Sequence, residues 1–201
     1  MPIIETSFEQ RSEAWFKAKA GNPGASEMDN IITSEGKPSK SRMDFMYKMA
    51  AELIRGKADD SFQSQAMLEG NLKEAEARDN FQFITELEVQ QVGMIYKDEK
   101  KLFHCSPDGI IGDNAGYEVK CPLGKTQAKY LAENKLPTAY FVQVQSSLYI
   151  SEREYWWFMS YCDGMNPLIL KVLPDKVFIK SLRVELELFC SELKEVVNKI
   201  K

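Results

Sequence analysis

Asp108, Glu118 and Lys120 are residues whose types and spacing suit them to cutting a phosphodiester. Successive side chains of a strand point to opposite faces, so in Tyr117-Glu118-Val119-Lys120-Cys121-Pro122 the carboxylate and the ammonium emerge together while Val119 turns away. Asp108 stands ten positions earlier, in Ser106-Pro107-Asp108-Gly109-Ile110-Ile111, and the intervening Gly112-Asp113-Asn114-Ala115-Gly116 is rich in turn-forming residues. Two short strands paired as a hairpin would bring the three polar groups together. Phosphodiester hydrolysis needs charge stabilised on attacking, phosphoryl and leaving oxygens, work that one or two divalent ions do. Mg2+ prefers oxygen ligands and keeps several waters, so Asp108 and Glu118, with the Val119 backbone carbonyl as a further ligand, make a sufficient anchor. Lys120 either orients the attacking water or stabilises the developing charge, and neighbouring cations lowering its pKa would lend it general-base character.

A plainer reading competes with this one, because Asp-Gly is common in turns and a Glu-x-Lys pair on an exposed strand is usually solvated. The apolar texture of Leu102-Phe103, Ile110-Ile111 and Val119 favours a site. Strands buried on one face hold unpaired charges only at high cost, and charges gathered in such a setting mark function more often than chance.

In this order the residues resemble the phage lambda exonuclease group of the PD-(D/E)XK nuclease superfamily, the alkaline exonucleases of viral recombination systems. Further matches are Ala14-Trp15, Ala25-Ser26-Glu27, Gly70 with Glu74, and Ala139-Tyr140 leading to Gln143-Val144-Gln145, so the resemblance spans about Arg11 to Tyr161. It implies a restriction-endonuclease-like core in which Asp108 and Glu118 are metal ligands, Lys120 is the catalytic lysine, Glu74 is a further acidic group and Gln143 a polar active-site residue. It also implies Mg2+, with Mn2+ as a substitute and two ions bound, and digestion of the 5′-ended strand of duplex DNA to mononucleotides, leaving 3′ overhangs. A ring-shaped homotrimer threaded by DNA and a partner single-strand annealing protein belong to the same implication. For the family's 5′-phosphate pocket, Ser26 matches the serine and Lys19 stands where the family has an arginine, offering a point charge in place of a fork. Around Gly36-Lys37 a second family arginine is missing, with Lys37, Lys40 and Arg42 as substitutes. Met67 falls where the family places a wedge that parts the duplex end; as a core methionine it has a simpler explanation.

The 201 residues suit a single domain, 1–201, and their 44% hydrophobic and 28% charged content is that of a globular chain. No apolar run approaches the ~18 residues needed to cross a bilayer, and Met1-Pro2-Ile3-Ile4-Glu5 lacks the pattern of a secretory signal, which places the chain in the cytoplasm. Four scattered cysteines and a single histidine, His104, disfavour zinc; the thiols are expected reduced and His104 structural. A formal charge of −4 counts against a simple DNA-binding module more than against an enzyme whose acidic site binds cations. Basic residues concentrate at Lys17, Lys19, Lys37, Lys40, Arg42 and Lys48, then at Lys125, Lys129 and Lys135.

The expected scaffold is α/β, a central mixed β-sheet flanked by helices. Ser12 caps a helix to about Ala20, Asn22-Pro23-Gly24 breaks it, and a short helix opens at Ala25-Ser26, where Ser26 either serves a terminal phosphate or simply caps. Further helices are expected from Ser41 to Gly56, from Ser61 to about Thr85, over Thr126 to Asn134 and from Pro137 to Ile150. Strands are expected at about Glu88 to Tyr96, Leu102 to Cys105, Tyr155 to Tyr161 and Leu168 to Val172. Tyr155-Trp156-Trp157-Phe158 reads as a sheet core before a base-stacking surface. The last helix carries a stripe of Leu182, Leu186, Phe189, Leu193, Val196 and Ile200. Two other functions share these features: a structure-specific or restriction-type endonuclease, and an inert DNA-binding recombination subunit.

Overall fold

The computed structural model describes residues 1–58 and 65–201, with the backbone alone over 65–72. The expectation for Met67, and the start of the helix expected from Ser61, lie outside the described residues. Chain order runs β1 (Ile3–Glu5), α1 (Glu13–Lys19), a 3-10 helix (Ala25–Asn30), α2 (Arg42–Arg55), α3 (Gln65–Thr85), β2 (Met94–Tyr96) and β3 (His104–Cys105). Then come the hairpin β4 (Gly109–Ile111) and β5 (Ala115–Lys120), α4 (Gly124–Glu133), α5 (Thr138–Ser151), β6 (Tyr155–Ser160), β7 (Leu168–Val172) and α6 (Lys176–Ile200).

Local chemistry explains most of the element ends. The Ser12 hydroxyl accepts from the Trp15 amide to open α1, and the Asp175 carboxylate accepts from the Val177 and Phe178 amides to open α6. Gly56 closes α2 in the left-handed conformation, φ 64°. Ser41 holds the N-cap position of α2 without a side-chain bond, contrary to the capping role expected of it.

The mixed α/β layout flanked by helices is present, and its strands divide between two sheets. One is antiparallel, β1-β2-β3; the other is mixed, β4-β5-β6-β7, with β5 and β6 parallel and the remaining pairs antiparallel. A parallel pair cannot be joined by a tight turn, and α4 and α5 supply the crossover. The expected strand at Glu88–Tyr96 is broken because the chain passes from one sheet to the other. Gln90 exchanges backbone bonds with Ile110 of β4 (2.9 and 2.8 Å), whereas Met94–Tyr96 pair with β1.

The aromatic block of β6 is core on both faces. Trp156 and Phe158 pack with Val144 and Leu148 of α5, and Trp157 lies against Phe81 of α3. Gly116 on the neighbouring strand must lack a side chain, since a Cβ there would sit 2.1–2.3 Å from the Trp156 ring. On α6 the buried stripe is Leu182, Leu186, Phe189, Cys190, Leu193 and Val197, packed on α2. Val196 is only partly buried and Ile200 is exposed, because the contact face rotates with the 3.6-residue period instead of holding the alternating 4-3 spacing to the end. Among the described residues no helix is long and apolar enough to cross a membrane.

Candidate active site

The hairpin register pairs Gly109 with Tyr117, and one further step sets Asp108 across from Glu118. β5 is an interior strand, so Glu118 is only 3% exposed. Its Oε1 accepts from Lys120 Nζ at 2.6 Å and from Gln143 Nε2 at 2.5 Å. Gln143 and Tyr140 stand three apart on α5 and therefore share a helix face; the Tyr140 ring lies 5.4 Å from Lys120 Nζ. On the other carboxylate, Asp108 Oδ2 accepts from the Val119 amide at 2.7 Å, which ties Asp108 to the strand bearing its partners. Glu74 arrives from the opposite side of β5. α3 packs Ala77 and Phe81 against Tyr117 and Val119, and Glu74, one turn before Ala77, shares with Asp108 and Val119 the lining of a cleft of about 400 Å³.

Burial disfavours the Asp108 carboxylate most strongly; Glu118 and Glu74 add to it, and together they outweigh Lys120 and the Val119 amide, so its pKa stands well above the carboxylate range. For Lys120, burial pulls the ammonium down, but Glu118 and Asp108 prevail and hold it above an ordinary lysine. The general-base character considered for Lys120 depends on bound divalent ions; the protein groups around it, Glu118 and Asp108, favour its charged form.

Asp108, Glu118 and the Val119 carbonyl supply the hard oxygen donors that Mg2+ takes, with water and substrate oxygens completing its shell. A divalent cation there would also relieve the mutual repulsion that disfavours Asp108. Among the described residues no group of three or more His, Cys, Asp or Glu forms a ready metal cage, so the fit rests on two carboxylates and a carbonyl.

The residues expected around a terminal phosphate come from the end of α1, the 3-10 helix, a turn and the start of α2. Lys19 sits with its Nζ 4.4 Å from the Trp15 ring, and Trp15 Nε1 donates to the Ser106 hydroxyl at 3.0 Å, two residues from Asp108. Burial lowers the Lys19 pKa, with Glu27 opposing. Ser26 is exposed as the second residue of the 3-10 helix, whose N-cap is Gly24, so the capping role considered for Ser26 does not apply. Lys37 is exposed in a turn closed by its carbonyl accepting from the Thr33 amide at 2.7 Å. Arg42 is not brought to the site. Its side chain is 11% exposed, and its guanidinium is bonded to Glu185 (3.3 Å) and Glu192 (2.8 Å), clamping α2 to α6. Lys48 is likewise bonded to Glu27 at 2.7 Å.

His104 is structural, as expected. It is 1% exposed, and its Nδ1 faces Asn22 Oδ1 at 3.0 Å; since the Asn22 amide is spent on the Lys101 carbonyl (2.6 Å), Nδ1 carries the hydrogen and donates. Burial, aided by the Lys19 ammonium, lowers its pKa from 6.5 to about 3. The unfolded chain gains a proton near pH 6.5 that the folded protein refuses, so stability from this group is full above 6.5 and drains away toward 3. The loss should be about 1.4 kcal/mol per pH unit. Urea unfolding of wild type and His104→Gln at pH 7 and pH 5 should show their stability difference changing by about 2 kcal/mol; parallel pH dependences would refute it.

Sequence reasoning did not single out Arg11, Gln10 or Arg78, all of which line the cleft. Arg11 Nη2 lies 2.8 and 2.9 Å from the two oxygens of Glu74. No local periodicity could reveal a pair 63 residues apart; the only signal was the polar Glu9-Gln10-Arg11-Ser12 run ahead of the matched Ala14-Trp15.

A mixed sheet whose hairpin sets an aspartate across from a Glu-x-Lys strand, with helices on its faces, is the core of the PD-(D/E)XK nucleases. Residues 14–154 match the YqaJ-like viral recombinase domain, and the chain belongs to that family. An alkaline exonuclease, LHK-Exo from Laribacter hongkongensis, has a similar structure, with TM-score 0.85 and 26% identity over 94% of this chain and 96% of that one. The same values hold for its complex with dAMP. A phage-related exonuclease from Haemophilus somnus 129PT shares the fold at TM-score 0.70 and 11% identity, over 90% of this chain and 96% of that one. No curated protein sequence matches. Family and structural likeness together support a nuclease role.

Proposed function

We propose that this chain is a Mg2+-dependent exonuclease that digests the 5′-ended strand of linear duplex DNA to mononucleotides, leaving 3′ single strands for recombination by annealing. The observation that carries the reading is the meeting of Lys120 and Gln143 on Glu118 with Asp108 across the hairpin. Divalent ions, Mg2+ or Mn2+ and two in number, held by Asp108, Glu118 and the Val119 carbonyl with Glu74 nearby, would supply charge stabilisation to the phosphoryl and leaving oxygens. Lys120, bonded to Glu118, orients the attacking water or adds positive charge where negative charge develops. Gln143 holds Glu118 in orientation from a rigid helix, and the Val119 amide does the same for Asp108.

Lys19 and Ser26 are the members assigned to the terminal-phosphate pocket, with Lys37 on its approach; Arg42 is committed to α6. Residues 1–201 act as one domain, in a cytoplasmic homotrimer that works with a single-strand annealing protein. The dAMP bound to the Laribacter exonuclease is a deoxynucleoside monophosphate, the product class expected here.

Linear duplexes labelled separately at the 5′ and 3′ termini, with and without terminal phosphate, test the reading alongside covalently closed circles. Labelled mononucleotide should come first from the 5′ terminus and circles should survive. Early release from the 3′ terminus would reverse the polarity, and cut circles would establish an endonuclease instead.

A further inference from the structure

Arg11 adopts a left-handed backbone, φ 66°, which residues with side chains seldom take. Its neighbour fastens the turn. Gln10 Nε2 donates to the Val92 carbonyl at 2.9 Å and to the carbonyl of Pro107, the residue before Asp108, at 2.7 Å. So placed, Arg11 spans both oxygens of Glu74 with one nitrogen, and the pair lines the same cleft as Asp108 and Val119.

We infer that Arg11 is a built-in competitor for the metal site: its guanidinium occupies Glu74 until a divalent cation takes that carboxylate, and this exchange sets the ion concentration the enzyme requires. The inference rests on the metal-nuclease reading above. A guanidinium held across two carboxylate oxygens engages the lone pairs that an incoming cation needs. The pair is also weak enough to exchange. Its side chains are 45% and 28% exposed, and pairs so open to water shift a competing equilibrium by only about two- to fivefold. Arg11 thus acts on the metal only through Glu74.

Mn2+ binding to the full chain without DNA, followed by calorimetry, provides the test. Arg11→Gly suits the left-handed backbone and removes the guanidinium; it should tighten Mn2+ binding by about two- to fivefold. In a Glu74→Gln background the same substitution should change nothing, and Arg11→Lys, keeping the charge, should fall between. If Arg11 merely propped Glu74 in place, Arg11→Gly would weaken binding. Unchanged or weaker affinity beside intact wild-type binding overturns this inference alone. Absence of any wild-type Mn2+ binding sensitive to Asp108→Asn overturns the metal-nuclease reading and the inference with it.

Discussion

Lys120→Ala should lower single-turnover hydrolysis of linear duplex DNA by about 10²- to 10⁴-fold while leaving DNA affinity nearly unchanged. The ammonium is 2.6 Å from Glu118 and the side chain is 28% exposed, open to solvent on one side yet too confined to be a general phosphate contact. What is lost is therefore a charge at the reacting centre. Wild-type rates in this variant would remove Lys120 from the mechanism. Because Glu118 is buried, its lost partner should also cost stability, so the assay belongs well below the variant's melting temperature.

Asp108→Asn should raise thermal stability and abolish Mn2+ binding together. Burial, Glu118 and Glu74 hold the Asp108 pKa above its unfolded value, so the folded protein is penalised for the charge. The sign follows from linkage: stability from such a group is full below the unfolded pKa and is lost as pH rises through the folded one. The asparagine variant should thus melt higher at neutral pH, by about 2–4 °C for each kcal/mol relieved. Near pH 4 the advantage should fade. Its amide oxygen can still accept from the Val119 amide, so the hairpin keeps its tie. Calorimetric melting in chelator at pH 4, 6 and 8 measures this, and a lower melting temperature at every pH would show that the carboxylate is not strained.

The site's core was legible because it is local. Period-two alternation put Glu118 beside Lys120, and the turn-rich Gly112–Gly116 predicted the hairpin that sets Asp108 across from them. Helix ends were legible where a side chain or a left-handed residue fixes them, as at Ser12 and Gly56. Ser41 shows the limit, since position alone did not produce the capping bond. Partners distant in sequence were illegible. A basic residue reads the same whether it faces solvent, DNA or a carboxylate, and only the packing of α2 on α6 reveals that Arg42 is consumed by Glu185 and Glu192. The division into two sheets was hidden for a related reason: Gln90 chooses Ile110 through backbone bonds, to which its side-chain type contributes nothing.

α5 packs against the 3-10 helix that bears Ser26 and, through Gln143, also grips Glu118. With close-packed residues such as Val142, Ile150, Met28 and Ile31 in one cluster, neither helix has slack to take up a shove from the other. One helix thus carries both contacts, and padding or hollowing the seam is expected to change the hold of Gln143 on Glu118 without altering any group inside the site.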